Sequence, residues 1–332
     1  MQFGPVPIQQ ALGTILAHSM QVGDQRLRKG LVLDADHIDA LAAAGVAEVT
    51  VVRLGADDLD EDSAASRIAA ALVPDPDAVG LTLTTAFTGR VNVLAAGPGV
   101  VGMDAAALRR LNDIDPMITV ATVPPLQQMA AGGMVATIKI ISYGVAAADV
   151  ERACAAAGGS LRLHAPVYRT AALIVTDIEG GAGLKGQEAV ANRVSALGME
   201  LIDTTVVPHQ EDALAAALGA VTADMVLILT ASATSDAHDV APQAVRRAGG
   251  QVTRFGMPVD PGNLLFLGHL NHRPVIGLPG CARSPALNGA DWVLSQLACG
   301  IEVSGADIAA MGVGGLLKEI PTRPMPRRSR RG

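Results

Sequence analysis

Apolar and polar positions keep a regular rhythm over the second half of the chain. Ala172–Thr176 is apolar over the length of a strand, and from Gln187 the residues Val190, Val194 and Leu197 share one helical face before Gly198. Leu201–Val207 reads as a strand and Asp212–Leu218 as a helix. Met225-Val-Leu-Ile-Leu229 is apolar throughout, the pattern of a strand covered on both faces. A helix follows, with Pro242 in its first turn and Gly249-Gly250 closing it. Leu264–Leu270 and Pro274–Leu278 flank Asn271-His272-Arg273, which predicts a hairpin. Ala290, Val293, Leu294 and Leu297 recur at i, i+3, i+4 and i+7 and predict a final helix. Strands alternating with helices place this half in the α/β class, with a mainly parallel sheet and helices on both faces.

The first half reads as smaller α+β segments. Lys29-Gly-Leu-Val-Leu33 looks like a strand, and Asp34 or Asp36 is placed to cap a helix carrying Ile38, Leu41 and Ala42, with Gly45 at its end. Val46–Leu54 is the next strand, and a second helix runs from Asp62 to Leu72. Pro74-Asp-Pro-Asp77 breaks the chain there. Beyond it, Leu81–Thr85 and Val135–Tyr143 are strand-like, and Asp104 caps a helix holding Leu108 and Leu111. Gly97-Pro-Gly-Val-Val-Gly102 lacks the Lys-Ser/Thr pair of a triphosphate loop and reads as a turn. The expected organisation is 1–74, 75–166, 167–304 and an extension 305–332. In that extension the prolines and mutually repelling arginines of Pro321–Gly332 predict a disordered basic tail.

Composition narrows the partners. Half the 332 residues are hydrophobic but only 2% are aromatic, so the core must be built from Ala, Val, Leu and Ile. A net charge of −7 gives the body no nucleic-acid footprint. No apolar run reaches the roughly 18 residues of a membrane span, and the first twenty residues lack a secretory pattern. Cys154, Cys281 and Cys299 are far apart with no CxxC pair, which fits a reducing cytoplasm. His269 and His272 read as surface residues of the hairpin, Cys281 as a small residue in a turn, and Asp57–Asp62 as a solvated helix start.

In parallel sheets ligands bind beyond the carboxyl ends of the strands. There the sequence offers Thr230-Ala-Ser-Ala-Thr-Ser-Asp-Ala-His-Asp239, whose hydroxyl and amide groups suit a phosphate. It also offers Gly277-Leu-Pro-Gly280 followed by Cys281-Ala-Arg-Ser284, which enters a helix with Arg283 adding charge. Ordinary strand-to-helix turns use the same residue types.

These stretches resemble the molybdopterin-binding domains of molybdopterin molybdenumtransferases. That family carries Gly-Gly-x-Ser-x-Gly-x-x-Asp, then Pro-Gly-Lys-Pro, then Gly-Leu-Pro-Gly-Asn-Pro-x-Ser. The counterparts here are Ala231–Asp239, Asp260-Pro-Gly-Asn263 and Gly277–Ser284. Val207-Pro-His-Gln-Glu-Asp-Ala-Leu214 is similar to the family's Val-Pro-Asp-Asp-x-x-x-Leu. Leu12–His18, Arg28-Lys-Gly30 and Asp36–Leu41 are similar to the opening of such proteins.

The resemblance implies cofactor contacts from Thr230, Ala231, Ser232, Thr234, Ser235, Asp236, Gly262, Gly277, Pro279, Gly280 and Ser284. It implies a catalytic role for Asp239 and, at the end of the first strand, Glu179. The implied ligand is molybdopterin or its adenylylated form, a pterin-phosphate small molecule, with magnesium as an accompanying ion. The implied setting is molybdenum cofactor biosynthesis or handling in a cytoplasmic homo-oligomer that serves a molybdoenzyme or a biosynthetic partner. Several positions depart from the family. Ala231-Ser232 and Asp236 replace glycines, Asn263-Leu264 replaces Lys-Pro, Cys281-Ala282 replaces Asn-Pro, and nothing resembles the family's C-terminal barrel. Cβ atoms there restrict backbone approach, so binding without efficient molybdate insertion is the expectation. The alternatives are a nucleotide pyrophosphatase of the competence-damage-like type and a non-catalytic scaffold.

Overall fold

The computed structural model describes residues 1–317, which divide into two compact units. The first comprises 1–97, 101–125 and 131–163; the second comprises 98–100, 126–130 and the chain from 164 onward.

In the first unit a three-stranded antiparallel sheet has the order Gln2–Pro7, Glu48–Arg53, Ile15–Leu16. Helix Ala35–Ala43 packs Leu41 into its core with Leu16, Leu33, Val49 and Val51. Asp34 caps that helix, accepting the His37 N–H at 3.0 Å. A four-stranded antiparallel sheet runs Ile118–Thr122, Met134–Ile140, Arg90–Ala95, Leu81–Leu83. Asp60 caps helix Glu61–Leu72, so the acidic run ends at a helix start, but Asp58–Asp60 itself is a short strand paired with Gly144–Ala146 rather than part of that start.

Two expectations for this half need correction. Lys29–Leu33 is not a strand: Gly30 turns the chain at φ +85°, and only Val32 bridges to Ile15. The Pro74–Asp77 break lies inside the first unit, because helix Glu61–Leu72 buries Ile68 and Leu72 and packs on strands Arg90–Ala95 and Met134–Ile140.

The second unit is built on a six-stranded sheet. Its strands are β1 (Thr170–Asp177), β2 (Glu200–Pro208), β3 (Met225–Leu229), β4 (Gln251–Phe255), β5 (Phe266–Leu270) and β6 (Arg273–Leu278). Its helices include α1 (Gln187–Ala196), α2 (Glu211–Ala220), α3 (Val240–Arg247) and α4 (Gly289–Ala298). The strand order is β2-β1-β3-β6-β5-β4. Strands β2, β1, β3 and β6 are mutually parallel, while β5 is antiparallel to both β6 and β4.

Side chains alternate between two cores, as a strand covered on both faces requires. Leu173, Val175, Leu227 and Leu229 pack with Val190 and Val194 of α1 and Val293 and Leu294 of α4. Ala172, Ile174, Val226 and Ile228 pack with Leu214 and Leu218 of α2 and Ala244 and Val245 of α3. The sheet is thus mainly parallel and covered by helices on both faces, as the rhythm of the sequence predicts.

The β5–β6 hairpin closes on Asn271 and His272, at φ +48° and +66°. That is the two-residue turn whose twist matches paired strands. Residues 305–310 form a short helix with Ile308 buried in the core, and Leu317 N–H bonds the Asp260 carbonyl at 2.9 Å. The extension is therefore packed as far as 317, and Pro321–Gly332 lies outside the described residues.

Candidate functional site

The chain winds from β1 outward to β2, then crosses back over β1 to β3. Helices α1 and α2 consequently lie on opposite faces, and the chain reverses direction between the carboxyl ends of β1 and β3. This reversal point is where doubly wound sheets bind ligands. The segments that follow β1, β2, β3, β4 and β6 all emerge at this same edge.

The loop after β3 turns some hydroxyls inward and others outward. Thr230 and Thr234 are buried; Thr230 Oγ1 donates to the Ser232 carbonyl at 2.6 Å and lies 3.3 Å from Thr234 Oγ1. Ser232, Ser235 and Asp236 are exposed, and Ala231 is half-buried. Ala231 N–H donates to Thr176 Oγ1 at 3.0 Å, which ties this loop to the end of β1. His209, just past β2, bridges the same two segments: its Nδ1 is 2.8 Å from Thr176 Oγ1 and its Nε2 is 3.1 Å from Ser232 Oγ.

Asp239 sits in the loop as its structural keystone. Oδ1 accepts the Val240 N–H at 2.7 Å as the cap of α3, and Oδ2 accepts the Ser235 N–H at 3.0 Å. Glu179 is exposed in the turn after β1. Asp177, at the end of β1, accepts the Gly183 N–H at 3.2 Å and interacts electrostatically with Arg283. Asp236 accepts the His238 N–H at 2.7 Å. Among the described residues no three His, Cys, Asp or Glu side chains converge in one cluster.

The loop after β6 begins with the buried Pro279 and runs through the short turn Gly280–Arg283. Gly280 is exposed, and a Cβ there would meet nothing within 4 Å. Gly277 is different: it lies inside β6, and a Cβ would fall 1.9 Å from the Phe266 ring. Gly262 is also buried, at φ +141°, with a Cβ position 2.7 Å from Gly289 N. Ser284 is exposed and its Oγ accepts the Ala286 N–H at 3.2 Å.

Arg283 does not face outward as a free anion clamp. Its Nη2 donates to the Thr230 carbonyl at 2.9 Å, and its Nη1 to the Gly183 carbonyl at 3.3 Å and the Lys185 carbonyl. It thereby joins the loops after β1, β3 and β6. Burial lowers the guanidinium below its usual value, and the Asp177 carboxylate opposes that shift. Arg193 of α1 supports the rest of the loop, pairing with Asp291 at 2.5 Å and donating to the Ala282 and Ser284 carbonyls at 2.9 and 2.8 Å.

The structure thus brings Thr230, Ala231, Ser232, Thr234, Ser235, Asp236 and Asp239 into one loop and links that loop through Arg283 to the turn at Gly280. Gly262 and Gly277 serve packing. Sequence reasoning did not single out Thr176, His209, Arg193 or Asp177. The signal available for His209 was its place two residues past the predicted strand Leu201–Val207, on the same sheet edge as the hydroxyl-rich loop.

Residues 185–297 match the family described as a probable molybdopterin binding domain. That segment is a molybdopterin-binding domain of this family. It runs from the loop after β1 through α4 and contains Arg193, His209 and both hydroxyl- and glycine-bearing loops. Residues 5–53 match a domain of unknown function (DUF8806). No curated protein matches the chain. Among solved structures, the chain is similar to a molybdopterin biosynthesis protein, moea, from Pyrococcus horikosii. The identity is 14% and the TM-score 0.31, with 90% of this chain and 75% of that one covered. A molybdenum cofactor biosynthesis protein from Pyrococcus furiosus gives 13% identity and a TM-score of 0.25, covering 93% of this chain and 65% of that one. No helix among the described residues is long and apolar enough to cross a membrane.

Proposed function

We propose that the second unit binds a pterin phosphate, molybdopterin or its adenylylated form, at the crevice between the ends of β1 and β3, and that the protein acts in molybdenum cofactor biosynthesis or handling. One observation carries this: the loop after β3 exposes the Ser232 and Ser235 hydroxyls, the loop after β6 exposes the open backbone at Gly280, and Arg283 fixes the two loops to each other. Hydroxyls and free amides at a strand end are the donors a phosphate needs. The family match over 185–297 supports the pterin as its carrier. Ala231, Ser232 and Asp236 replace glycines, and their Cβ atoms limit backbone approach, so the reading extends to binding with little molybdate insertion. It also carries a cytoplasmic location and a homo-oligomer, which light scattering of the purified protein measures.

The test is to isolate the protein from cells that make molybdopterin, oxidise the bound fraction and measure pterin fluorescence. One pterin per chain is expected. A protein free of pterin, and unable to take it up when supplied, sinks the proposal. Incubation with the adenylylated ligand, magnesium and molybdate is expected to give slow or no turnover. A rate of about 1 per second or more, typical of enzymes, overturns the insertion part. Release of AMP without molybdate redirects the reading to pyrophosphate hydrolysis.

A further inference from the structure

Thr176, His209 and Ser232 stand in line at the reversal point of the sheet, with contacts of 2.8 and 3.1 Å to the two imidazole nitrogens. A serine, a histidine and a third polar group at such distances have the outline of an activated nucleophile. The protons point the other way. Thr176 is 0% exposed, and its Oγ1 already accepts the Ala231 N–H. Its own hydroxyl proton then needs an acceptor, and a buried donor left unmet is costly. His209 Nδ1 is the acceptor the structure places there. That nitrogen must be bare, so Nε2 carries the hydrogen and donates it to Ser232 Oγ. Ser232 cannot be deprotonated by a nitrogen that is itself a donor. Its own hydroxyl proton is turned away from the ring, toward the crevice.

We infer that Thr176 and His209 are positioning residues that fix the exposed Ser232 hydroxyl as an outward hydrogen-bond donor, and that this relay selects an acceptor-only anion of the phosphate class. The inference rests on the proposed phosphate-binding crevice and adds its tautomeric basis. An imidazole fits the task because it accepts on one side and donates on the other. A carboxylate at position 209 would accept from both hydroxyls, draw the Ser232 proton inward and add negative charge beside the anion.

The experiment reads the ring directly. Protein labelled with 15N-histidine gives a long-range proton–nitrogen spectrum, in which H209Q assigns the His209 signals. The neutral Nε2–H form is expected, and inorganic pyrophosphate, used as the probe, is expected to shift it. S232A and H209D should each weaken pyrophosphate binding about tenfold or more, the scale of a lost hydrogen bond to a charged group. T176S keeps the hydroxyl and should preserve tautomer and affinity; T176V should lose both, with circular dichroism confirming its fold.

A ring in the Nδ1–H form, or Ser232 labelled by a fluorophosphonate reagent, would overturn the positioning role in favour of nucleophile activation. The expected tautomer with no response to pyrophosphate overturns the anion assignment. A response to pyrophosphate in a protein that takes up no molybdopterin supports the relay and removes only the pterin reading.

Discussion

Arg193→Met takes one guanidinium out of the support beneath the loop after β6. The side chain is 9% exposed and pairs with Asp291, itself 14% exposed, at 2.5 Å. Nη1 donates to the Ala282 and Ala189 carbonyls at 2.9 and 3.1 Å, and Nη2 to Ser284 and Ala286 at 2.8 and 3.0 Å. Methionine replaces most of the aliphatic stem, so the loss is polar rather than a cavity. The two Nη2 acceptors lie on the solvent side and regain water. Asp291 and the Ala282 carbonyl do not regain it fully. Removing one partner of a buried pair costs about 3–5 kcal/mol. Asp291 keeps the Asn288 N–H at 2.7 Å, which places this variant near the lower end, about 3 kcal/mol.

A unit of this size loses about 2–4 °C of Tm per kcal/mol, so the midpoint should fall by roughly 6–12 °C. The chain's single tryptophan, Trp292, is half-buried beside Asp291 and packs on the core of the second unit, so its fluorescence follows this unit's unfolding by heat and by urea. Arg193→Lys should recover less than half the loss, because one ammonium cannot reach carbonyls on both sides of a planar fork. A fall of less than about 1 kcal/mol for Arg193→Met would refute the reasoning and show that the loop holds itself.

Asp239→Asn keeps the cap on α3 but cannot accept the Ser235 N–H through its amide nitrogen, so stability should drop by about 1 kcal/mol. Pterin affinity should fall with it, both measured on the same preparation. His272→Gly should raise stability by up to about 1 kcal/mol in urea titrations, because relief of left-handed strain at φ +66°, about 1–2 kcal/mol, exceeds glycine's entropic cost of about 0.5–1 kcal/mol. Asp224 has a carboxyl pKa held below its ordinary value, first by the Arg169 N–H at 2.9 Å and then by the Thr170 N–H at 3.0 Å. A lowered folded pKa stabilises above the unfolded value and is lost as pH falls through the folded one. Asp224→Asn should therefore lower Tm at pH 7, and the gap to the parent should close below about pH 4.

The second unit was legible because its strands carry their burial in their composition. Met225–Leu229 is apolar at every position and is buried at every position. The Asn271-His272 turn, the end of α1 at Gly198 and α4 follow from local chemistry and stand where the sequence places them. Gln251–Phe255 escaped the reading because an edge strand with mixed polarity has no distinctive period. Gln2–Pro7 did so because two prolines and a glycine argue against a strand, and only its pairing with Glu48–Arg53 reveals it. At the site, the loops were visible as hydroxyl-rich and glycine-rich turns. What joins them was not: Arg193 reaches residues 91 and 93 positions away, and no local pattern marks such a contact.

The two glycines of Gly277-Leu-Pro-Gly280 answer to different demands. Gly277 is required by the sheet itself, because any Cβ would enter the Phe266 ring, so a fold with that phenylalanine needs the glycine whether or not a ligand binds. Gly262 likewise makes room for the start of α4. Gly280 has open space around its missing Cβ, and nothing inside the unit asks for it. A residue that packing leaves free is where a ligand's approach has something to explain. The loop after β3 shows the converse trade. Ala231 and Ser232 surrender the close backbone approach of paired glycines, but Ala231 N–H anchors Thr176 and Ser232 gains a hydroxyl held by His209. In the proposed site, recognition would move from bare backbone to an oriented side-chain hydroxyl, whose hydrogen a phosphate would accept at greater distance from the chain.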